Sequence, residues 1–209
     1  MKNPSKASGE LITGKHAASY DRKNWIWKYI RRKQFSYIDL QPGQSILDVG
    51  SGTSSTLFAL WKKYGDDVKI FGVEPSKDMV AQGAERLKNA KNVTVSIASS
   101  EKLPHKANSL DYVLCSLVIH HLPMDVKQQA LAEIYRVLKP GGTFVLTDWG
   151  KPTNVVGKVV HATVRDHVYV HENVKGILDD MMRESGFEEV KTRAVQTGIV
   201  HHWTAKKPL

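Results

Sequence analysis

Between residues 45 and 147 the chain alternates short apolar runs with helix-patterned segments, and this rhythm restricts the available folds more than any other feature. The pattern predicts strands at 45–49, 68–73, 93–97, 110–114 and 143–147, with helices near 55–63, 76–88 and 123–138 between them. Strands that alternate with helices build a parallel sheet covered on both faces, a doubly wound α/β domain. The Lys139-Pro140-Gly141-Gly142 run should stop the third of these helices. After residue 185 the rhythm breaks. Strands are expected at about 186–193 and at 198–204, and the gap between them is too short for a helical crossover, so the two must pair antiparallel. Seven strands, mostly parallel, with a C-terminal antiparallel hairpin are therefore expected.

The chain has 209 residues, enough for one full hydrophobic core and too few for two. Apolar residues make up 41% and charged residues 24%, which excludes wholesale disorder. No apolar run approaches the roughly 20 residues of a membrane-spanning helix, and residues 1–10 lack the apolar stretch of a secretory signal. The single cysteine, Cys115, has no partner for an internal disulfide. A cytoplasmic location is the expectation. The net charge of +9 is concentrated at the ends: residues 1–40 carry nine Lys/Arg against three acids, and residues 191–209 carry four against none. These ends either solubilise the chain or steer an anionic partner. A helix at 19–39, with Trp25, Ile26, Tyr29 and Ile30 at helical spacing, should lead into the domain.

Ligands of open α/β sheets bind past the carboxyl ends of the strands. At the end of the first strand stands Asp48-Val49-Gly50-Ser51-Gly52-Thr53-Ser54, where the glycines permit a tight turn and close ligand approach. Asp48 is a carboxylate on a buried strand and needs N–H donors or a cation. The second strand ends in Glu74, placed to meet a ribose diol. Two neighbouring carboxylates suit a ligand with a cation and a ribose and repel a pyrophosphate, and the full dinucleotide glycine pattern is missing after Gly52.

These residues resemble the class I S-adenosylmethionine-dependent methyltransferases. The stretch from Ile46 to Thr53 looks like their motif I, and Val73-Glu74-Pro75-Ser76-Lys77-Asp78-Met79 like their motif II. Ser99-Ser100-Glu101-Lys102-Leu103-Pro104 resembles the loop beside the adenine, Ser109 to Leu122 resembles motif IV, and Glu133 to Gly142 the signature after it. Ala18-Ser19-Tyr20-Asp21 is similar to the entry of the ubiquinone/menaquinone-type C-methyltransferases, in which a leading helix caps the cofactor. The resemblance implies a Rossmann-like methyltransferase fold, S-adenosylmethionine as cofactor, and residues 1–40 as tail and capping helix before a cofactor-binding domain at 41–209. It implies cofactor contacts from Tyr20, Asp48, Gly50, Ser51, Gly52, Glu74, Pro75, Met79, Ser99, Ser100 and Glu101. Cys115 is counted with them as a small buried hydrophobe, without the Pro-Cys context of cytosine-C5 methyltransferases. Two departures stand out: Ser54 replaces a third glycine, and Ser99 replaces an Asp that accepts from the adenine amino group.

His120, His121 and Tyr20 are the candidate catalytic residues. Either histidine, at the end of the fourth strand, is a candidate general base or a packing residue. Tyr20 covers the cofactor, touches substrate or packs, and Trp149 walls the substrate pocket or joins the core. His167 and His171 are spaced four apart, as in helical metal sites, but no third ligand matches them, and no metal is expected. The motif Asn/Asp-Pro-Pro-Tyr of exocyclic-amine methylation is absent after the fourth strand. A small, apolar, quinone-like acceptor is the first expectation. An RNA methyltransferase using the basic ends is the second, and a catalytically inactive cofactor-binding subunit the third. A dehydrogenase is disfavoured, and the oligomeric state is left open.

Overall fold

The computed structural model describes residues 25–164 and 170–209. In chain order these form α1 (Trp25–Phe35), β1 (Ser45–Val49), α2 (Ser55–Tyr64), β2 (Lys69–Val73), α3 (Lys77–Leu87), β3 (Val93–Ser96) and β4 (Leu110–Ser116). A 3-10 turn over Ile119–His121 precedes α4 (Met124–Val137) and β5 (Leu138–Trp149). Then follow α5 (Val155–Val164), α6 (Val170–Val174), α7 (Leu178–Glu184), β6 (Glu188–Gln196) and β7 (Val200–Lys206).

The seven strands lie in the order β3-β2-β1-β4-β5-β7-β6. The first five pair parallel, and β7 pairs antiparallel with both β5 and β6. The strand order reverses between β1 and β4, which opens a crevice at their carboxyl ends. The alternation of side chains along each strand feeds two cores. Leu47, Val113, Cys115, Phe144 and Leu146 join one core with the buried stripe of α4 (Val126, Ala130, Ile134, Val137). Ile46, Leu114 and Val145, the residues between, pack on the other face against Leu57 and Leu60 of α2. Both faces of the sheet are thus covered, as the apolar strands require.

Three boundaries differ most from the sequence pattern, the first being the end of α1 at Phe35 rather than at 39, after which residues 36–38 close single turns onto Lys33, Gln34 and Phe35. β5 begins at Leu138, because the Lys-Pro-Gly-Gly segment pairs through Leu138 with Leu110 before a register shift, rather than forming a free turn. The hairpin strands sit about two residues later than expected, since Phe187 closes α7 by donating to Met182 O and the turn at 197–199 consumes Gly198.

Candidate active site

The loop after β1 is shaped by packing as much as by glycine flexibility. Gly50 has φ +75°, and a Cβ there would lie 2.3 Å from Val118 Cγ2, so no other residue fits. Its N–H and that of Ser51 donate to Val73 O, which locks the loop onto β2. Ser54, at the position of the missing third glycine, takes φ 60° and begins α2. The close approach between helices is restored from the other side: a Cβ at Gly83 of α3 would lie 2.9 Å from Ser54 Cβ. The substitution is accommodated by a glycine in the neighbouring helix.

Two cavities flank Gly50. The larger, about 580 Å³, opens between α1 and the β1 loop and is walled by Arg31 and Gln34, by Asp48, Ser51 and Gly52, and by Ser116 of β4. The smaller, about 300 Å³, is lined by Pro75, Ser99, Ser100, Glu101, Val118 and Leu122. Glu74 stands near their junction. Its Oε2 accepts from Gly52 N (3.0 Å) and its Oε1 from Ser76 N (2.9 Å). Burial raises its pKa against these two hydrogen bonds. Met79 is buried, with Cε 3.3 Å from where a Gly52 Cβ would lie.

Asp48 is 2% exposed, and burial pushes its pKa up to about 7, opposed by the nearby Arg31 guanidinium and assisted by Glu74. Its Oδ1 and Ser51 Oγ are buried without a hydrogen-bond partner among the described residues. A fold that leaves a buried carboxylate oxygen unmatched in a cleft fits a cationic, donor-bearing ligand there. The sulfonium and ammonium of S-adenosylmethionine have that character, and its adenosyl portion suits the second cavity. Arg31 donates to Ser55 O (3.2 Å) and Oγ (2.9 Å) and so ties α1 to the start of α2 at the cleft mouth. Gln34 donates to Cys115 O and accepts from Ser116 Oγ (2.7 Å).

Most of the sequence candidates converge here: Asp48, Gly50, Ser51, Gly52, Glu74, Pro75, Met79, Ser99, Ser100 and Glu101. Cys115 does not join them on the wall. Its side chain has the opposite parity to Asp48 along paired strands, so it faces the α4 core and is fully buried, and only its carbonyl turns to Gln34. Tyr20 and His167 lie outside the described residues. His161 and His171 rings stand 6.4 Å apart, and among the described residues no three His, Cys, Asp or Glu side chains are grouped to hold a metal.

The two candidate bases separate. His120 is buried, with Nδ1 2.6 Å from Asp148 Oδ1, whereas His121 is exposed, its ring 3.9 Å from that of His120. Trp149 is half-buried, with its ring 5.9 Å from that of His120, and packs against the small cluster that includes Ile30, Val170 and Val200. Asp148, Arg31 and Gln34 were missed as site residues. Asp148 carried the same signal as Asp48, an acid ending a buried apolar strand. Arg31 sits in a basic run whose sequence does not say which member faces inward.

Residues 46–142 match the family model described as a methyltransferase domain. A demethylmenaquinone methyltransferase of Shouchella clausii is 28% identical over 210 residues, 90% of this chain and 86% of that protein. A ubiquinone/menaquinone biosynthesis C-methyltransferase of Hydrogenovibrio crunogenus is 28% identical, over 84% of this chain and 76% of that protein. The fold matches a Haemonchus contortus phosphoethanolamine N-methyltransferase 2 solved with S-adenosyl-L-methionine (TM-score 0.75, 18% identity, 94% of this chain), of which this chain spans 58%. It also matches a SAM-dependent methyltransferase of Aquifex aeolicus (TM-score 0.69, 22% identity, 91% of this chain and 97% of that one). These matches support an S-adenosylmethionine-dependent methyltransferase, with S-adenosylmethionine as its cofactor. Within that class, these two curated relatives are of the ubiquinone/menaquinone type.

Proposed function

We propose that the protein transfers a methyl group to a small apolar acceptor of the quinone class. The observation that carries the reading is the unmatched Asp48 Oδ1 in a cleft between the β1 loop and α1, in a chain whose relatives include quinone-biosynthesis methyltransferases. The cofactor supplies an activated methyl carbon, and the protein supplies alignment and exclusion of water. Asp48 would face the cationic end. Arg31 would meet the carboxylate of the methionine portion, a geometry that a planar guanidinium suits. Glu74 would accept from the ribose hydroxyls while its backbone hydrogen bonds hold it in place. Ser99 would accept from the adenine amino group where a stronger carboxylate acceptor is common.

Residues 1–40 would act as a cap on the cofactor-binding domain at 41–209, with α1 contributing Arg31 and Gln34 at the cleft. An apolar acceptor would rest against Trp149 and its neighbours Ile30, Val170 and Val200. The single buried cysteine goes with a cytoplasmic enzyme. Among the described residues, no helix is long and apolar enough to cross a membrane.

Calorimetric titration of the full chain with S-adenosylmethionine, and separately with NAD, tests the cofactor site. Transfer of labelled methyl to a reduced 2-prenyl-1,4-naphthoquinone, with bulk RNA run beside it, tests the acceptor. Selective binding of the first ligand and salt-insensitive labelling of the naphthoquinol are expected. Labelling of RNA that falls steeply with salt would replace the acceptor class.

A further inference from the structure

Behind His120 lies a chain of buried polar side chains that cofactor binding does not explain. Asp148 Oδ1 takes His120 Nδ1 at 2.6 Å, and the same carboxylate accepts the main-chain N–H of His120 (3.3 Å) and of Trp149 (2.7 Å). Asn173 Nδ2 reaches Asp148 Oδ1 at 3.5 Å, and Asn173 Oδ1 accepts from Lys127 Nζ at 2.6 Å. Lys127, Asp148 and Asn173 have no exposed surface, and His120 is 7% exposed. They come from four elements: the 3-10 turn, β5, α4 and α6. A lysine and an aspartate are rarely buried, and a fully apolar set of similar volume is often as stable or more so. The arrangement therefore points to a task.

We infer that Asp148, Asn173 and Lys127 are positioning residues that hold His120 as a general base with its Nε2 lone pair presented to the methyl acceptor. The inference rests on the methyltransferase reading above and deepens it by defining the acceptor as a molecule with an ionisable hydroxyl, a phenol or hydroquinol. A carboxylate on Nδ1 fixes the tautomer, because Nδ1 must carry the proton to donate to it, which leaves Nε2 bare. No partner for Nε2 is found among the described residues. Asn173 fixes the carboxylate from behind by offering its N–H₂ to Asp148, and it can do so only while its oxygen is taken by Lys127. The lysine thus sets the orientation of the amide and contributes positive charge near Asp148.

In the proton step the acceptor O–H bond breaks, its electron pair stays on oxygen, and the proton forms an N–H bond at Nε2. Asp148 offsets the imidazolium charge. The electron pair freed at oxygen is delivered, directly or through the ring carbon beside it, to the sulfonium methyl as the S–CH₃ bond breaks and its pair stays on sulfur in the neutral thioether. Methylation at carbon releases that carbon's C–H proton, so the acceptor loses one net proton, which leaves to solvent through His120, and no oxidant or reductant is required.

Imidazole ¹⁵N spectra of the full chain, labelled at histidine and recorded above about pH 8 where an ordinary histidine is neutral, test the geometry without any acceptor. His120→Asn assigns the signal. Wild type is expected to show His120 protonated at Nδ1 with Nε2 bare, and Asp148→Asn to move the proton to Nε2. A proton on Nε2 in wild type, or no change in Asp148→Asn, would overturn the inference. In parallel, Asp148→Asn and His120→Asn are expected to lower kcat on the reduced prenyl-naphthoquinone by about 10²–10⁴-fold, with KM and cofactor affinity held and a melt confirming the fold. Unchanged kcat with cofactor still bound would reduce the network to a structural feature and leave the methyltransferase standing. Loss of cofactor binding by the wild-type chain would instead overturn the reading beneath it.

Discussion

Asp48 should make the ligand-free protein less stable as the solution becomes more alkaline, which is the reverse of ordinary carboxylate behaviour. In the unfolded chain its pKa is the ordinary 3.8, and in the fold burial raises it to about 7. The folded state therefore holds a proton that the unfolded state has already released. Stability from this group is full below pH 3.8 and is lost as the pH rises through about 7. At about 1.4 kcal/mol per pH unit, the span from 3.8 to about 7 amounts to a loss of about 4 kcal/mol. Asp48→Asn keeps the shape and removes the titration. Urea unfolding of both proteins from about pH 5 to about pH 8 should show the variant gaining on wild type through that window, by at least about 2 kcal/mol. The gain should come with a loss of affinity for the cationic cofactor. In wild type, cofactor binding below about pH 7 should release a proton, seen as a buffer-dependent enthalpy in calorimetry. A stability difference that is flat with pH would refute the argument, because it would mean that Asp48 is ionised in the fold throughout.

Two further outcomes follow from the same physics. Glu74→Ala removes both the acceptor facing the ribose and the clamp on Gly52 N and Ser76 N, so cofactor affinity measured by calorimetry should fall by about 1.5–3 kcal/mol. Burial, aided by Lys33 and His201, lowers the His202 pKa to about 4. The unfolded chain takes up that proton first, so stability is present above pH 6.5 and is lost as the pH falls toward 4. His202→Gln should flatten that acid slope in urea titrations, whereas an unaltered slope would place the charge on His202 in the fold.

The central strands of the sheet were legible because they are buried on both faces and so appear as apolar runs, and the turn at 197–199 was too short for anything but a hairpin. The cofactor cradle was legible for a related reason. Carboxylates ending such strands, as Asp48 and Glu74 do, are expensive unless they have a ligand or donors to meet. The same reasoning applied to Phe144-Val145-Leu146-Thr147-Asp148 would have marked Asp148, whose partner is a histidine that the sequence had already singled out. What stayed hidden depends on rotation about an axis. Arg31 faces the cleft while Arg32 does not line it, and Lys127 turns inward to Asn173 while Asp125 and Gln128 face water. A helix sequence gives relative positions around that axis, and only the packing of α1 on α2, or of α4 on α6, sets the zero.

Cys115 shows the converse: its distance along β4 is right for the cofactor, and its parity is wrong. The glycine at position 83 is subtler still. Nothing within motif I indicates that the space needed by Ser54 is provided 29 residues later, on α3. A motif read alone makes Ser54 a defect, and the fold makes it half of a pair. On that account Ser54 and Gly83 should be coupled. Gly83→Ala would press on Ser54 and on the Thr53 backbone, and Ser54→Gly in the same molecule should relieve the part that falls on the serine, which a double-mutant cycle on stability would detect as non-additivity of about 1 kcal/mol. Additive effects would mean that α3 adjusts freely and that the serine is tolerated for some other reason.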